Sequence, residues 1–179
     1  MTHPLKIFTF CPKCGSKNFK ISSPFSKKCD LCGFEYFKNP VVGVAALIFN
    51  KEGKILCLQR EREPGFGLLA LPGGFVDLNE SIETAIIRET KEETGIDITN
   101  PTLLDNIPNT YIYCGMDQYP LDFYFVAYLK NEQSLKPQAG ETSHLRFVSI
   151  EEITPESFAM QSTRLFLKNL LSGKYQKQL

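Results

Sequence analysis

No stretch of this chain approaches the ~20 consecutive apolar residues that a membrane-crossing helix needs. The opening "MTHPLKIFTFCPKC" also lacks the apolar stretch and small-residue cleavage site of a secretory leader, so the expected compartment is the cytoplasm. Repeats and low-complexity segments are absent, which argues against a solenoid or a disordered tail. There are two histidines, His3 and His144. They have no partner at metal-ligand spacing and receive no role. Net charge is absent too, with 20 basic against 20 acidic residues, but it is unevenly spread. Residues 1–40 hold seven lysines against Asp30 and Glu35, which is 7 − 2 = +5 and leaves −5 for the remainder. A basic front end points to a phosphate-bearing partner, with a lysine-rich solvated surface as the plainer reading.

What is present begins with cysteine. "CPKCG" and "CDLCG" place Cys11, Cys14, Cys29 and Cys32 in a C-x2-C-x14-C-x2-C pattern. Two such knuckles, each followed by glycine, can close four thiolates around a tetrahedral Zn²⁺. Four protein ligands leave no open position, so this zinc is expected to be structural. So short a segment needs the metal to fold, and a zinc ribbon is assigned to residues 1–38. Cys57 and Cys114, in "KILCLQR" and "YIYCG", are expected to be small buried or half-buried hydrophobes.

From Asn39-Pro40 the pattern changes, and a second domain is assigned to residues 39–179. "VVGVAALIFN", the turn "KEGK" and "ILCLQR" read as a hairpin. A loop, "EREPGFG", runs into "LPGG" and a glutamate-rich helix starting near Ile82, capped by Ser81 and stopped by Gly95. "TLLDNIPNTYIYCG" and "PLDFYFVAYL" read as two strands, "LRFVSI" as a third, and "FAMQSTRLFLKNLL" as an amphipathic helix. The composition, 42% hydrophobic and 22% charged, is that of a globular protein. A mixed sheet with helices packed on it follows, either α+β or a three-layer sandwich.

The helix carries Glu89, Glu92 and Glu93 at i, i+3 and i+4, with Glu92 and Glu93 each within about 60° of Glu89 around its axis. Ile82, Ala85 and Ile86 share that sector, so the apolar stripe runs into the carboxylates. Like charges a few ångströms apart repel by roughly 3–4 kcal/mol at an effective dielectric near 20. Lys91 lies off this face, and Arg88 alone is judged too little for three acids. A hard divalent cation, Mg²⁺ or Mn²⁺, is the expected compensation, and the backbone around Pro72-Gly73-Gly74 can approach it closely.

From Gly74 to Ile96 the chain fits G-x5-E-x7-R-E-U-x-E-E-x-G-U, where U is a bulky aliphatic residue. Gly74, Glu80, Arg88, Glu89, Glu92, Glu93, Gly95 and Ile96 match, and Thr90 stands at an aliphatic position. This stretch resembles the Nudix box. The resemblance implies an α/β/α sandwich and hydrolysis of a nucleoside diphosphate linked to a group X. It implies Glu89, Glu92, Glu93 and the Gly73 carbonyl as metal ligands, Arg88 as the group orienting Glu89, and Glu80 as its support. Glu89, Glu93 and Glu141 remain candidates for the general base. Glu141 enters because it lies five residues before Arg146-Phe147, as in similar enzymes.

A ribbon ahead of a Nudix domain is similar to the bacterial NADH pyrophosphatases and to relatives acting on FAD or ADP-ribose. The S-Q-P-W-x-F-P-x-S stretch of the former is missing after the box, where this chain reads "NIPNTYIYCGMDQYPLDFYF". There is no tryptophan, and Leu69 stands where many members have one. Tyr111, Tyr113 and Phe66 are candidates for stacking on a base, and Gln161 for a polar contact. The favoured substrate is an adenine dinucleotide or ADP-sugar, cleaved to release AMP. The alternatives are an RNA-directed decapping or nucleotide-sensing protein using the basic ribbon, and a nucleoside triphosphate sanitising enzyme. A homodimer is expected by resemblance alone, and no membrane partner is expected.

Overall fold

The computed structural model describes the chain except Met1, Thr2, Glu132, Ala139 and Glu141, and the side chain of Thr142. It divides into two compact units, residues 1–40 with 112–118, and residues 41–111 with 119–179.

The first unit holds three short antiparallel strands, β1 (Phe19–Ser23), β2 (Ser26–Cys29) and β3 (Glu35–Phe37), in the order β1-β2-β3. Its apolar interior is small: Cys11, Phe19 and Cys29, with Cys32 and Phe34 against them. The buried Lys27 sends its Nζ to the carbonyl of Phe8, 2.5 Å away, and lies over the Phe19 ring.

The second unit is built on β4 (Val42–Phe49), β5 (Ile55–Arg60), β6 (Leu69–Ala70), β7 (Gly73–Phe75), β8 (Thr102–Pro108), β11 (Leu121–Tyr128) and β12 (Thr142–Val148). Their order is β12-β5-β4-β11-β8, with β6 on β5 and β7 on β4. β11 runs parallel to β4 and the other pairings are antiparallel, so the sheet is mixed. The β4–β5 hairpin closes on the single pair Phe49–Ile55 and then splays. β6 and β7 take up the freed edges, and this opening delivers Gly73 into the sheet.

Strand alternation gives each face of the sheet its own core. Val44, Ala46, Ile48, Leu56, Phe125 and Ala127 meet Ala85 and Ile86 of α1 (Ile82–Thr94). On the other face Leu47, Cys57, Tyr124 and Val126 meet Phe166, Leu167 and Leu170 of α2 (Gln161–Leu171). Tyr124 stacks on Phe166 at 4.2 Å, and Phe166 on Tyr175 at 5.2 Å. The result is the three-layer α/β/α sandwich that the resemblance implies. No helix among the described residues is long and apolar enough to cross a membrane.

Two expectations are corrected. The run read as one strand from Thr102 to Gly115 breaks after Pro108, and Tyr111–Tyr113 (β9) pairs with Met116–Gln118 (β10). Cys114 is then neither buried nor in a strand. It is exposed, with φ 48° beside Gly115 at φ 73°, which suits the two-residue turn that closes a tight hairpin. Cys57 does behave as expected, fully buried with burial pushing its thiol up to about 12.

Candidate active site

α1 starts and stops as its sequence dictates. The Ser81 hydroxyl accepts from the Thr84 amide at 3.1 Å, and Gly95, at φ 75°, returns its N–H to the Lys91 carbonyl. Ala85 and Ile86 hold the helix on the sheet. Thr90, at the aliphatic position, is fully buried, and its hydroxyl has no partner among the described residues.

Arg88 organises the acids. It donates from Nε and Nη2 to the two oxygens of Glu80 at 2.9 and 2.8 Å, and from Nη1 to Glu89 at 2.8 Å and Glu92 at 3.1 Å. Nη2 also reaches the Phe75 carbonyl at 3.1 Å. One guanidinium therefore spans three carboxylates and the strand leaving the Gly-Gly turn, a use of arginine's planar fork that lysine could not reproduce. The Arg88 side chain holds Glu80 down to about 2. Glu89, half-buried, moves the other way: desolvation raises its carboxyl above the ordinary range although Arg88 pulls it down. Glu93 accepts from the Gly73 amide at 2.8 Å. The expectation that Arg88 is too little for three acids is thus refined: it donates to Glu89 and Glu92, and the Gly73 N–H donates to Glu93.

The glycines allow this approach. Gly73, at φ 151°, has no room for a side chain, since a Cβ would stand 2.0 Å from the Val44 carbonyl oxygen. At Gly74 a Cβ would stand 2.5 Å from the Glu89 carboxylate.

Sequence reasoning missed Arg60, half-buried at the end of β5, where Glu93, Tyr111 and Glu63 act on its charge. The signal was available: Leu56, Leu58 and Arg60 fall on one strand face. Of the other candidates, Tyr111 is thus close enough to Arg60 to act on it. Phe66 and Tyr113 are exposed, Tyr111 is half-buried at the start of β9, and Gln161 is the exposed first residue of α2. Among the described residues, Phe66 and Gln161 make no side-chain hydrogen bond or ring contact with the carboxylate cluster. Glu141 lies outside the described residues.

The first unit carries the cysteines on two matching knuckles. Gly15 and Gly33, both at φ 73°, return their N–H to Cys11 and Cys29 at 2.8 and 2.9 Å. Cys11 and Cys29 in turn donate to the carbonyls of Ser16 and Phe34. All four sulfurs lie within 4.8 Å of one another, none in a disulfide. Cys11–Cys32 and Cys14–Cys29 are each 3.7 Å apart, close to the ~3.8 Å edge of a tetrahedron with ~2.3 Å metal–sulfur bonds. The Cys32 amide, against the cost of desolvation, and then the Leu31 amide pull the Cys29 thiol down to about 6. This donor set fits a soft or borderline metal ion.

The glutamates fit a hard one, being oxygen donors that a cation would relieve of repulsion and burial. Among the described residues they are not drawn into a comparably tight group, because Arg88 and the Gly73 amide hold them.

Comparison with known proteins agrees with this geometry. Residues 39–170 match the NUDIX domain model. The ADP-ribose pyrophosphatase of Methanocaldococcus jannaschii is 43% identical over 77 residues, 43% of this chain and 45% of that protein. The NAD-capped RNA hydrolase NudC of Vibrio parahaemolyticus is 26% identical over 172 residues, 95% of this chain and 62% of that protein. The chain thus spans less than two thirds of the length of these curated relatives. A Nudix hydrolase from Nitrosomonas europaea shares the fold, with a TM-score of 0.71 at 24% identity over 94% of this chain and 93% of that one. A MutT Nudix hydrolase from Burkholderia pseudomallei gives 0.63 at 27% identity, over 73% and 98%. With the box organised around Arg88 on a three-layer sandwich and the domain model matched over most of its length, this chain belongs to the Nudix family.

Proposed function

We propose that this protein hydrolyses the pyrophosphate bond of an adenine dinucleotide or ADP-sugar, such as NADH, FAD or ADP-ribose, releasing AMP. The observation that carries the reading is the Arg88-centred carboxylate cluster beside Gly73 and Gly74 of β7. Glu89, Glu92, Glu93 and the Gly73 carbonyl are assigned to hold Mg²⁺ or Mn²⁺. When bound, the cation neutralises the diphosphate and makes water a better nucleophile. Arg88, tied to Glu80, keeps Glu89 and Glu92 facing the same space. A carboxylate takes the proton of the attacking water, a role open to Glu89, Glu93 and Glu141. Cys11, Cys14, Cys29 and Cys32 are assigned to a structural Zn²⁺ in a ribbon over residues 1–38. The relatives named for ADP-ribose and for NAD-capped RNA support an adenine-containing substrate.

Chromatography of NADH, FAD, ADP-ribose, diadenosine polyphosphate and 8-oxo-dGTP after incubation with Mg²⁺ or Mn²⁺ tests this. AMP from one dinucleotide, lost in Glu92→Gln, is the expected result. Release of pyrophosphate from the damaged triphosphate alone would replace the reading with a sanitising one.

One observation favours a second reading, in which the dinucleotide is the 5′ end of an RNA. The lysine-rich first unit exposes Phe10, Phe25 and Phe37, with Lys17 5.9 Å from the Phe10 ring and Phe25 6.2 Å from Phe37. Exposed rings among lysines suit stacked bases on a phosphate backbone. A salt-sensitive shift of single-stranded RNA, weakened by Phe10→Ala, is its expected signature.

A further inference from the structure

The sheet face away from α1 holds a cavity that the proposed chemistry does not use. On β5, Leu56 packs with Ala85 and Ile86 of α1, whereas Cys57 belongs to the opposite core with Phe166 and Leu167. Beside Cys57 the chain makes two short 3-10 turns, Ile150–Glu152 and Pro155–Ser157, and then fastens itself to β6. Leu69 bridges Phe158, and the Ala159 amide donates to the Leu69 carbonyl at 2.9 Å. The turns do not seal on the sheet. A cavity of about 280 Å³ remains, its inner wall made by Cys57, Val148, Ile153 and Phe158, all buried. Protein interiors leave few voids larger than a water molecule, so a space of this size with an apolar floor has the form of a ligand pocket.

The mouth of the cavity is polar. Arg146, Glu152, Thr154 and Ser157 rim it, and Arg146 and Ser157 also line a larger open groove of about 710 Å³ with Gln59 and His144. A bulge in β12 brings Arg146 here. Ser143 pairs with Gln59 and Arg146 with Cys57, so β12 spends one residue more than β5, with His144 at φ 48°. The guanidinium is near enough to pull the Cys57 thiol down against the burial that raises it. Among the described residues it nevertheless makes no hydrogen bond and has no carboxylate within 4.0 Å, and Glu152 has no cation within that distance. Opposite charges thus stand on one rim without pairing.

We propose that this cavity is a second, non-catalytic site for a nucleoside monophosphate with an amino-bearing base, its ring in the cavity and its phosphate on Arg146. The volume lies at the foot of the ~300–1,000 Å³ range of ligand pockets, which suits one ring system better than a dinucleotide. Arg146, with His144 in the same groove and the Ser157 hydroxyl shared by groove and cavity, supplies several donors to a group that is all acceptors. Glu152 supplies the acceptor that an exocyclic amine requires, the pairing a carboxylate makes with such a group on a base. Phe158 and the Cys57 thiol give the ring an apolar wall. The choice of ligand rests on the proposed function, which makes AMP the product, whereas the cavity does not depend on it. AMP would then bind on the sheet face opposite the carboxylates that release it.

The test reads where the ligand sits. Methyl resonances of the zinc-loaded chain are followed by NMR as AMP, adenosine or inorganic phosphate is added without Mg²⁺ or Mn²⁺. The expected result is a saturable AMP shift at Leu69, Val148 and Ile153, with Val44 and Ile86 on the α1 face unmoved. Adenosine and phosphate should each bind about tenfold more weakly than AMP, or weaker still. Arg146→Gln, a change at an exposed side chain, should weaken AMP about tenfold or more and leave adenosine within about twofold, with partial recovery in Arg146→Lys. Shifts on the α1 face alone, no shift at millimolar AMP, or equal AMP affinity in the parent and Arg146→Gln would each overturn the site. If the parent cleaves no dinucleotide while AMP still moves these methyls through Arg146, the proposed function falls and the site stands.

Discussion

Arg88 is the residue on which most of the site depends. Removing its fork leaves Glu80, Glu89 and Glu92 without their common donor, and bonds to charged groups are each worth about 1.5–3 kcal/mol before solvent screening. Arg88 is 26% exposed, so about 2 kcal/mol in total is the reasonable expectation. Arg88→Gln should therefore unfold at lower denaturant, and lose about a hundredfold in turnover as the carboxylates drift. Thr90 offers the opposite sign. Its buried hydroxyl has no partner among the described residues, so Thr90→Val removes a desolvated polar group at nearly constant volume. A gain of about 1 kcal/mol in a urea titration is expected, with turnover unchanged. Isoleucine or valine is what the box pattern calls for here, and the structure gives the physical reason. Arg60 was legible only in part, through the alternation that puts it on the face of Leu56 and Leu58. One charged residue at the end of an apolar strand looks like a boundary until α1 is known to cover that face.

At the level of elements, α1 was legible in full because cap, stripe and stop all point to one helix. The run after it was not. Cys114-Gly115 hides a turn inside an aromatic stretch, and only pairing with β10 reveals it. The C-terminal end is held by chemistry that spacing cannot show. Asp105 on β8 accepts from Lys174 at 2.8 Å and from the buried Tyr175 at 2.5 Å. Burial acts to raise Asp105, but these donors outweigh it and leave the carboxyl below its ordinary range. An acid depressed in the fold adds stability above its unfolded value, near 3.9, that is lost as pH falls through the lower folded value. Asp105→Asn should lower the melting temperature by a few degrees at pH 7. The gap to the parent should close steadily below about pH 4. A difference unchanged from pH 7 to pH 2.5 would mean the clamp does not depend on charge.

For the whole molecule, the two compact units are expected to depend on different ions. The first has a core of a few side chains, and its thiolates are assigned to zinc. The second has two cores of ordinary size and is expected to fold without metal. Chelation with a zinc-selective agent, or Cys29→Ser, should abolish amide-exchange protection around residues 11–34 and leave that of α2 intact. The sequence made both candidate ion sites visible, because metal ligands must sit at fixed spacing. It left the X group open, because the candidates for base and sugar contacts, Phe66, Tyr111 and Gln161, lie far apart in the chain and no spacing rule connects them.

The central claim is that the α1 carboxylates form a divalent-cation site. Mn²⁺ titration followed by electron paramagnetic resonance tests it most directly, on zinc-loaded parent, Glu92→Gln and Glu93→Gln proteins. The account predicts saturable Mn²⁺ binding in the parent, weakened about tenfold or more in each variant. Equal binding in parent and variants, or none in the parent, would contradict it.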